Sequence, residues 1–380
     1  MHKNISRFLI VSLSVCMLIS TTACNNHKSD SSNQDAEITE EKVIHIQELI
    51  DSVNQSKLAD YVAKLSGETE ISVGDQTTTL TNRITGSESY ELAAQYVYEF
   101  MENLGLAVEY QSGIKEESIM EEMTIAYPYK NVIAEKKGTT HPEEVVVLCV
   151  HLDSTVMGLS RVDAAISEMN AESFDSDVSD VDGENEGSST IEYAPGADDN
   201  ATGCAAVLHI AELLSQYDFE RTIRFCFFDA EEEGFIGSTA YVESLGDAAN
   251  NIKAVINLDT LGWDSDGEPN FSIVTQFDQA ETYEVQQKIR QVFEKAIQNY
   301  GLNEDVAMKN VTASIELMSD QASFWSAGIP AVLIIEDTED LNPNANMKED
   351  VFQNLNLKYY TDVVKAVTGA VADLAEQTSW

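Results

Sequence analysis

Apolar positions along the chain fall into two alternating patterns. The first consists of short runs dominated by apolar residues: NVIA (Asn131 to Ala134), VVVLCV (ending at Val150), TIRFCFF (ending at Phe228), AVINL (Ala254 to Leu258) and AVLII (Ala331 to Ile335). Such runs suit strands buried on both faces. The second is a helical spacing of apolar residues, found near Ser89 to Leu104, from Gly203 to about Gln216, from Thr282 to Tyr300 and from about Lys358 to Glu376. Strands apolar on both faces and separated by helices require a sheet covered on each side, which predicts an α/β fold, a three-layer α/β/α sandwich. One such domain takes up residues 41 to 380.

Composition sharpens this picture at the ends and in one loop. A hydrophobic content of 43% over 380 residues is enough for a substantial core. The 22 Lys and Arg face 66 Asp and Glu, a net charge of −44, which repels phosphate backbones and leaves no expectation of a nucleic-acid partner. Lys3 and Arg7 precede an apolar stretch, Phe8 to Ser20, too short for a comfortable membrane span, so residues 1–24 read as an export signal. Ala23 before Cys24 suits lipoprotein processing; the alternative is a plain secretory signal. Either places the protein outside the cell, lipid-anchored or secreted. Residues 25–40 are polar and read as a tether, and an acidic insertion covers about 155–194. Cys149, Cys204 and Cys226 remain in the folded part and read as buried free thiols.

In open α/β sheets, ligands sit beyond the carboxyl ends of the strands. Three apolar runs here pass directly into ionisable residues: VVVLCV into His151 and Asp153, TIRFCFF into Asp229 and the triplet Glu231, Glu232 and Glu233, and AVINL into Asp259. A fourth cluster, PGADDNATG, places Asp198 and Asp199 ahead of a helix. Alone, a histidine after a strand is usually structural and ADDN is usually a turn with a helix cap. Four such clusters at corresponding places form the ligand inventory of a zinc or similar metal site. On an extended segment His151 and Asp153 point the same way, so Asp153 can accept from the ring nitrogen turned away from a metal. Neighbouring side chains in the glutamate triplet diverge, so one can ligate while the next acts as a base.

Seven ordered stretches carry a resemblance: TNRITGSESYELAAQYVYEFMENLGL, NVIAEKKG, VVVLCVHLDS, PGADDNATG, FFDAEEEGFIGS, NLDTLG and SDQASFWSAGIPAV. Together they resemble the co-catalytic zinc aminopeptidases of peptidase family M28 over roughly residues 80 to 375. The resemblance implies a mostly parallel, mixed sheet. It implies that His151 and Asp259 bind one Zn2+, that the Asp199 carboxylate bridges two ions and is followed by a cis peptide to Asn200, that Glu232 binds the second, that Asp153 orients His151, and that Glu231 is the general base. The implied reaction is metal-assisted hydrolysis of the N-terminal peptide bond of peptides with a free α-amino group.

One position departs from that pattern. NPNANMKEDVFQNLN, Asn342 to Asn356, puts Asn346 where the family places a histidine ligand of the second metal, and Gln321 stands where relatives often carry another histidine. No histidine follows His209, which lies in an apolar helical stretch and reads as core, and His45 and His141 have no metal context. The first metal therefore keeps a full set, while the second keeps Glu232, Asp199 and the amide oxygen of Asn346, donors that suit harder ions such as calcium, magnesium or manganese. Three readings stay open: a hydrolase with an altered second site, a binding or scaffolding lipoprotein that retains the fold, and a glutaminyl-cyclase-like activity. Asp229 ends its strand without a chemical role and Glu233 reads as a solvated neighbour. The acidic insertion and the segment TLGWDSDGEPNF, including Trp263, are the expected pocket wall, and an acidic rim would favour basic or free amino termini.

Overall fold

The computed structural model describes residues 46–120, 123–157 and 193–376. The export signal, Cys24, the tether, His45 and most of the acidic insertion lie outside the described residues. After a helical segment at residues 46–51, the elements run α1 (Gln55–Leu65), β1 (Ile71–Val73), β2 (Gln76–Thr78), α2 (Glu88–Asn103), β3 (Ala107–Met120), β4 (Met123–Lys136), β5 (His141–His151), α3 (Gly203–Leu214), β6 (Arg221–Phe228), α4 (Ile236–Leu245), β7 (Ile252–Leu258), β8 (Asn270–Thr275), α5 (Tyr283–Asn299), β9 (Ala307–Thr312), α6 (Gln321–Ser326), β10 (Ala331–Glu336) and α7 (Leu357–Glu376).

Strands β3 to β10 form one eight-stranded mixed sheet in the order β3-β4-β6-β5-β7-β10-β8-β9. Its centre, β6-β5-β7-β10, is parallel, and antiparallel pairs flank it at β3-β4-β6 and β10-β8. Side chains alternate between two cores. Val146, Leu148 and Val150 of β5 join α1, α2, α3, α5 and α7 on one face, while Val145, Val147 and Cys149 join Tyr241 of α4 and Phe324 of α6 on the other. This is the three-layer sandwich expected from the apolar strand runs and the helices between them. The three described cysteines are buried free thiols, as expected.

The pattern was least informative at the edges. β3 and β9 interleave charged and polar residues because they lie at the two borders of the sheet, and β9 is nowhere fully buried. β4 extends well before NVIA because only Val132 to Lys136 pair with β6; the earlier half pairs with β3 alone. The sequence pattern does not mark helix α4, because IGSTAYVESL mixes glycine and β-branched residues of low helix propensity.

One side chain ties the loops that frame the carboxyl end of β5. Arg83 is fully buried, and its guanidinium donates to four backbone carbonyls: Nε to Leu152, Nη1 to Leu65 and Pro195, and Nη2 to Gly196, at 2.7–2.9 Å. Gly196 has φ +48°, and a Cβ there would stand 2.3 Å from the carbonyl oxygen of Asp199, so only glycine fits this corner. Replacing Arg83 with methionine strands buried carbonyls, and the substitution is expected to lower the unfolding free energy by at least about 3 kcal/mol. Urea denaturation followed by circular dichroism reads this out; an unchanged midpoint would contradict it.

Candidate metal centre

Parallel strands β6, β5 and β7 end side by side, so the residues that follow them meet at one sheet edge. His151 closes β5 and is buried; its Nε2 lies 3.1 Å from Asp199 Oδ1 and 3.2 Å from Asp259 Oδ1. Its Nδ1 lies 3.2 Å from the backbone oxygen of Asp153, which can only accept, so Nδ1 carries a hydrogen and Nε2 faces the carboxylates. One donor atom each from His151, Asp199 and Glu232 lies within 4.8 Å of the others.

Asp153 does more than its spacing suggested. Its carboxylate stands 3.5 Å from His151 Nδ1, and its two oxygens accept the backbone N–H groups of Glu231 (3.1 Å) and Glu232 (3.2 Å). The histidine and the glutamate pair are thereby registered against one carboxylate. A second clamp holds the Asp199 loop, where Asp350 accepts from the backbone of Asp198 (2.9 and 3.1 Å) and Asp199 (3.0 Å). The Asp199–Asn200 peptide is cis, and the Asn200 side chain bonds Leu258 O and the N–H of Gly203, joining this loop to β7 and α3.

Asp199, Glu231, Glu232, Asp259 and Asn346 line a cavity of about 420 Å³ whose other walls include Phe235, Leu317, Met318 and Leu341. No lysine or arginine lines it among the described residues. Burial pushes Glu231 and Glu232 well above the usual carboxylate range, reinforced by the surrounding acids. Burial alone would lower His151, but Asp259, Glu231, Asp153 and Asp199 raise it well above its ordinary value. In the absence of a cation, a proton on the imidazole supplies the positive charge.

Sequence reasoning missed several residues. Asp320, before α6, is buried close enough to interact with His151 and Glu231, and burial pushes it up to about 7. An acid at a helix start reads as a cap, yet it makes no such bond here. Thr260 lines the cavity at φ +43°, strained for a β-branched residue, with its buried hydroxyl lacking a partner among the described residues. Other readings gain or lose detail. His209 is a core residue whose Nε2 accepts from Asn54 N and whose Nδ1 lies 3.1 Å from Glu212. Gln321 is buried against Leu317 O and Asn257, outside the cavity wall. Asp229 accepts from Thr85 and Lys130 N, a structural role. Glu233 is half-buried, more enclosed than a solvated neighbour. Of the segment Thr260 to Phe271, only Thr260 reaches the cavity; Trp263 does not.

The sequence profile of peptidase family M28 matches residues 131–371, more than half of the chain. The chain belongs to this family. Among curated relatives, a probable leucine aminopeptidase of Arthroderma otae is 28% identical over 190 residues, which is 48% of this chain and 48% of that protein. The match thus spans about half of that relative's length. Among solved structures, a zinc aminopeptidase from Bacillus subtilis superposes with a TM-score of 0.63 at 15% identity, covering 86% of this chain and 97% of the other. A glutaminyl cyclase from Porphyromonas gingivalis gives 0.60 at 18%, covering 84% and 98%. These likenesses establish a common fold, which serves more than one reaction, so the choice between reactions rests on the site.

Raised carboxyls have a consequence for stability. Asp320 is pushed up to about 7, and Asp350, by burial and the charge of Asp198, up to about 8. Each binds its proton more tightly in the folded chain than in the unfolded one, so folding is favoured at low pH and stability falls as pH rises through these values. Chelator-treated protein is therefore expected to melt at a lower temperature at pH 8 than at pH 5.5, with added Zn2+ raising the melting temperature more at pH 8. Scanning calorimetry of both forms checks this; a metal-free chain more stable at pH 8 would contradict it.

Proposed function

We propose that the chain is a zinc-dependent aminopeptidase that hydrolyses the first peptide bond of peptides with a free N-terminus. The observation that carries the reading is the meeting of His151 Nε2 with Asp199 and Asp259 oxygens at 3.1 and 3.2 Å, in a cavity that also presents Glu231. One imidazole and two carboxylates with an open side facing a cavity fit the donor set of catalytic zinc. Zinc bound by these three residues would acidify a water molecule and polarise the scissile carbonyl.

The chain's own residues supply the remainder. Glu231, held in place by the bond from its backbone N–H to Asp153, takes the proton of the attacking water and returns it to the leaving amine. Its burial favours the protonated form after the first transfer, which suits that return. The acidic wall attracts an α-ammonium group, and Phe235, Leu317, Met318 and Leu341 offer the first residue an apolar surface. The preference for basic termini expected from the acidic insertion rests on residues outside those described, whereas the described wall favours an apolar first residue. The N-terminal segment with Lys3, Arg7, Phe8 to Ser20 and Cys24 supports export with anchoring through Cys24.

Glu231→Gln is expected to lower kcat on leucyl-p-nitroanilide by about 10²- to 10⁴-fold while zinc content stays unchanged. The N-acetylated substrate should be left intact by the parent protein. Full turnover by the variant would refute the assignment of the base. Cyclisation of glutaminyl peptides without hydrolysis of leucyl substrates would point to the cyclase reaction instead.

A further inference from the structure

We infer that the second metal position of this centre is an oxygen-only site, formed by Asp199, Glu232 and the amide of Asn346, which holds a hard divalent ion such as Mn2+ beside the zinc at His151. The inference rests on the metallopeptidase reading above and adds the identity of the second ion.

Two side-chain oxygens carry it. Glu232 Oε1 and Asn346 Oδ1 are both buried and have no hydrogen-bond partner among the described residues. Both residues line the cavity that Asp199 also lines. A buried acceptor with no donor is unfavourable, and a cation placed between the two would satisfy both at once.

The amide is held in place by the same framework that holds Asp199. Asn346 has φ +58°, a left-handed conformation that asparagine tolerates better than most residues, and its backbone oxygen accepts from Met157 N at 2.8 Å. Its segment is joined to the Asp199 loop on both sides. Before it, Asn342 Nδ2 donates to Asp198 Oδ2 at 2.9 Å; after it, Asp350 accepts the N–H groups of Asp198 and Asp199. The segments that carry Asp199 and Asn346 are therefore tied together by direct bonds on either side of Asn346.

Donor chemistry separates the two positions. Among the described residues, His151 contributes the one imidazole in the cluster, and it faces Asp199 and Asp259. His209 bonds Asn54 and Glu212 in the core, and His141 begins β5, so neither reaches the cavity. Imidazole with carboxylates suits zinc, whereas carboxylate and carbonyl oxygens alone suit Mn2+, Mg2+ and Ca2+. Zinc outbinds manganese at most sites, so the two positions should differ in the ratio of the two affinities.

Manganese paramagnetic resonance on metal-free protein preloaded with one equivalent of zinc tests this. The expected result is loss of the free manganese signal for one further equivalent, with the zinc retained. Asn346→Ala should weaken that manganese binding by about tenfold or more, leaving the first zinc in place. Asn346→Asp, which keeps an oxygen donor and suits the same backbone, should bind manganese at least as tightly as the parent. Asn346→His should take up a second zinc and exclude manganese, and His151→Ala should lose the first zinc but keep manganese. Manganese that stays free while a second zinc binds as tightly as the first would overturn the inference and leave the peptidase reading standing; so would manganese affinity unchanged in Asn346→Ala. Failure to bind any divalent ion would overturn both.

Discussion

Buried negative charge is the constraint on which the rest of this structure depends. Asp199, Glu231, Glu232 and Asp259 converge on one cavity with Asp320 close behind, and the only ionisable nitrogen among them is the imidazole of His151. Carboxylates brought this close in a poorly solvated place repel one another strongly, and each must be neutralised by a proton or compensated by a cation. The raised affinities of Glu231, Glu232 and His151 for protons are three expressions of the same deficit. A divalent cation resolves it without consuming the base.

Holding such a cluster together is the work of the scaffold around it. Three parallel strands deliver their ends to one edge, backbone N–H groups of Glu231 and Glu232 engage Asp153, and those of Asp198 and Asp199 engage Asp350. Arg83 then fixes the carbonyls of both neighbouring loops from below, adding a buried positive charge near Asp153 and Asp199 without entering the cavity. Asp153, Asp350 and Arg83 make these orienting bonds without lining the cavity, which leaves the carboxylates and the imidazole there to face an ion. This is preorganisation in the sense that matters for catalysis: the geometry is set before the ion or the substrate arrives.

The central strands were legible in the sequence because burial on both faces leaves a run dominated by apolar residues, as in VVVLCV and TIRFCFF. β3 and β9 were not, because edge strands meet water on one side and mix polar with apolar residues. The convergence of His151, Asp199, Glu231, Glu232 and Asp259 was legible for a related reason: each follows a strand or precedes a helix whose direction the pattern predicts. Asp350 and Arg83 act on main-chain atoms far away in sequence, and Asp320 reaches the cluster only through the placement of α6, so no local spacing marks them. Asn346 stood out only against a family pattern, and its unsatisfied amide oxygen shows only in three dimensions.

A cation belongs where His151 Nε2 faces the carboxylate oxygens of Asp199 and Asp259. Anomalous scattering at the zinc edge from crystals grown with zinc tests it most directly. The account predicts a peak about 2.0–2.2 Å from His151 Nε2 and from oxygens of Asp199 and Asp259. A map with no peak there, and with the imidazole still bonded directly to those carboxylates, would contradict it.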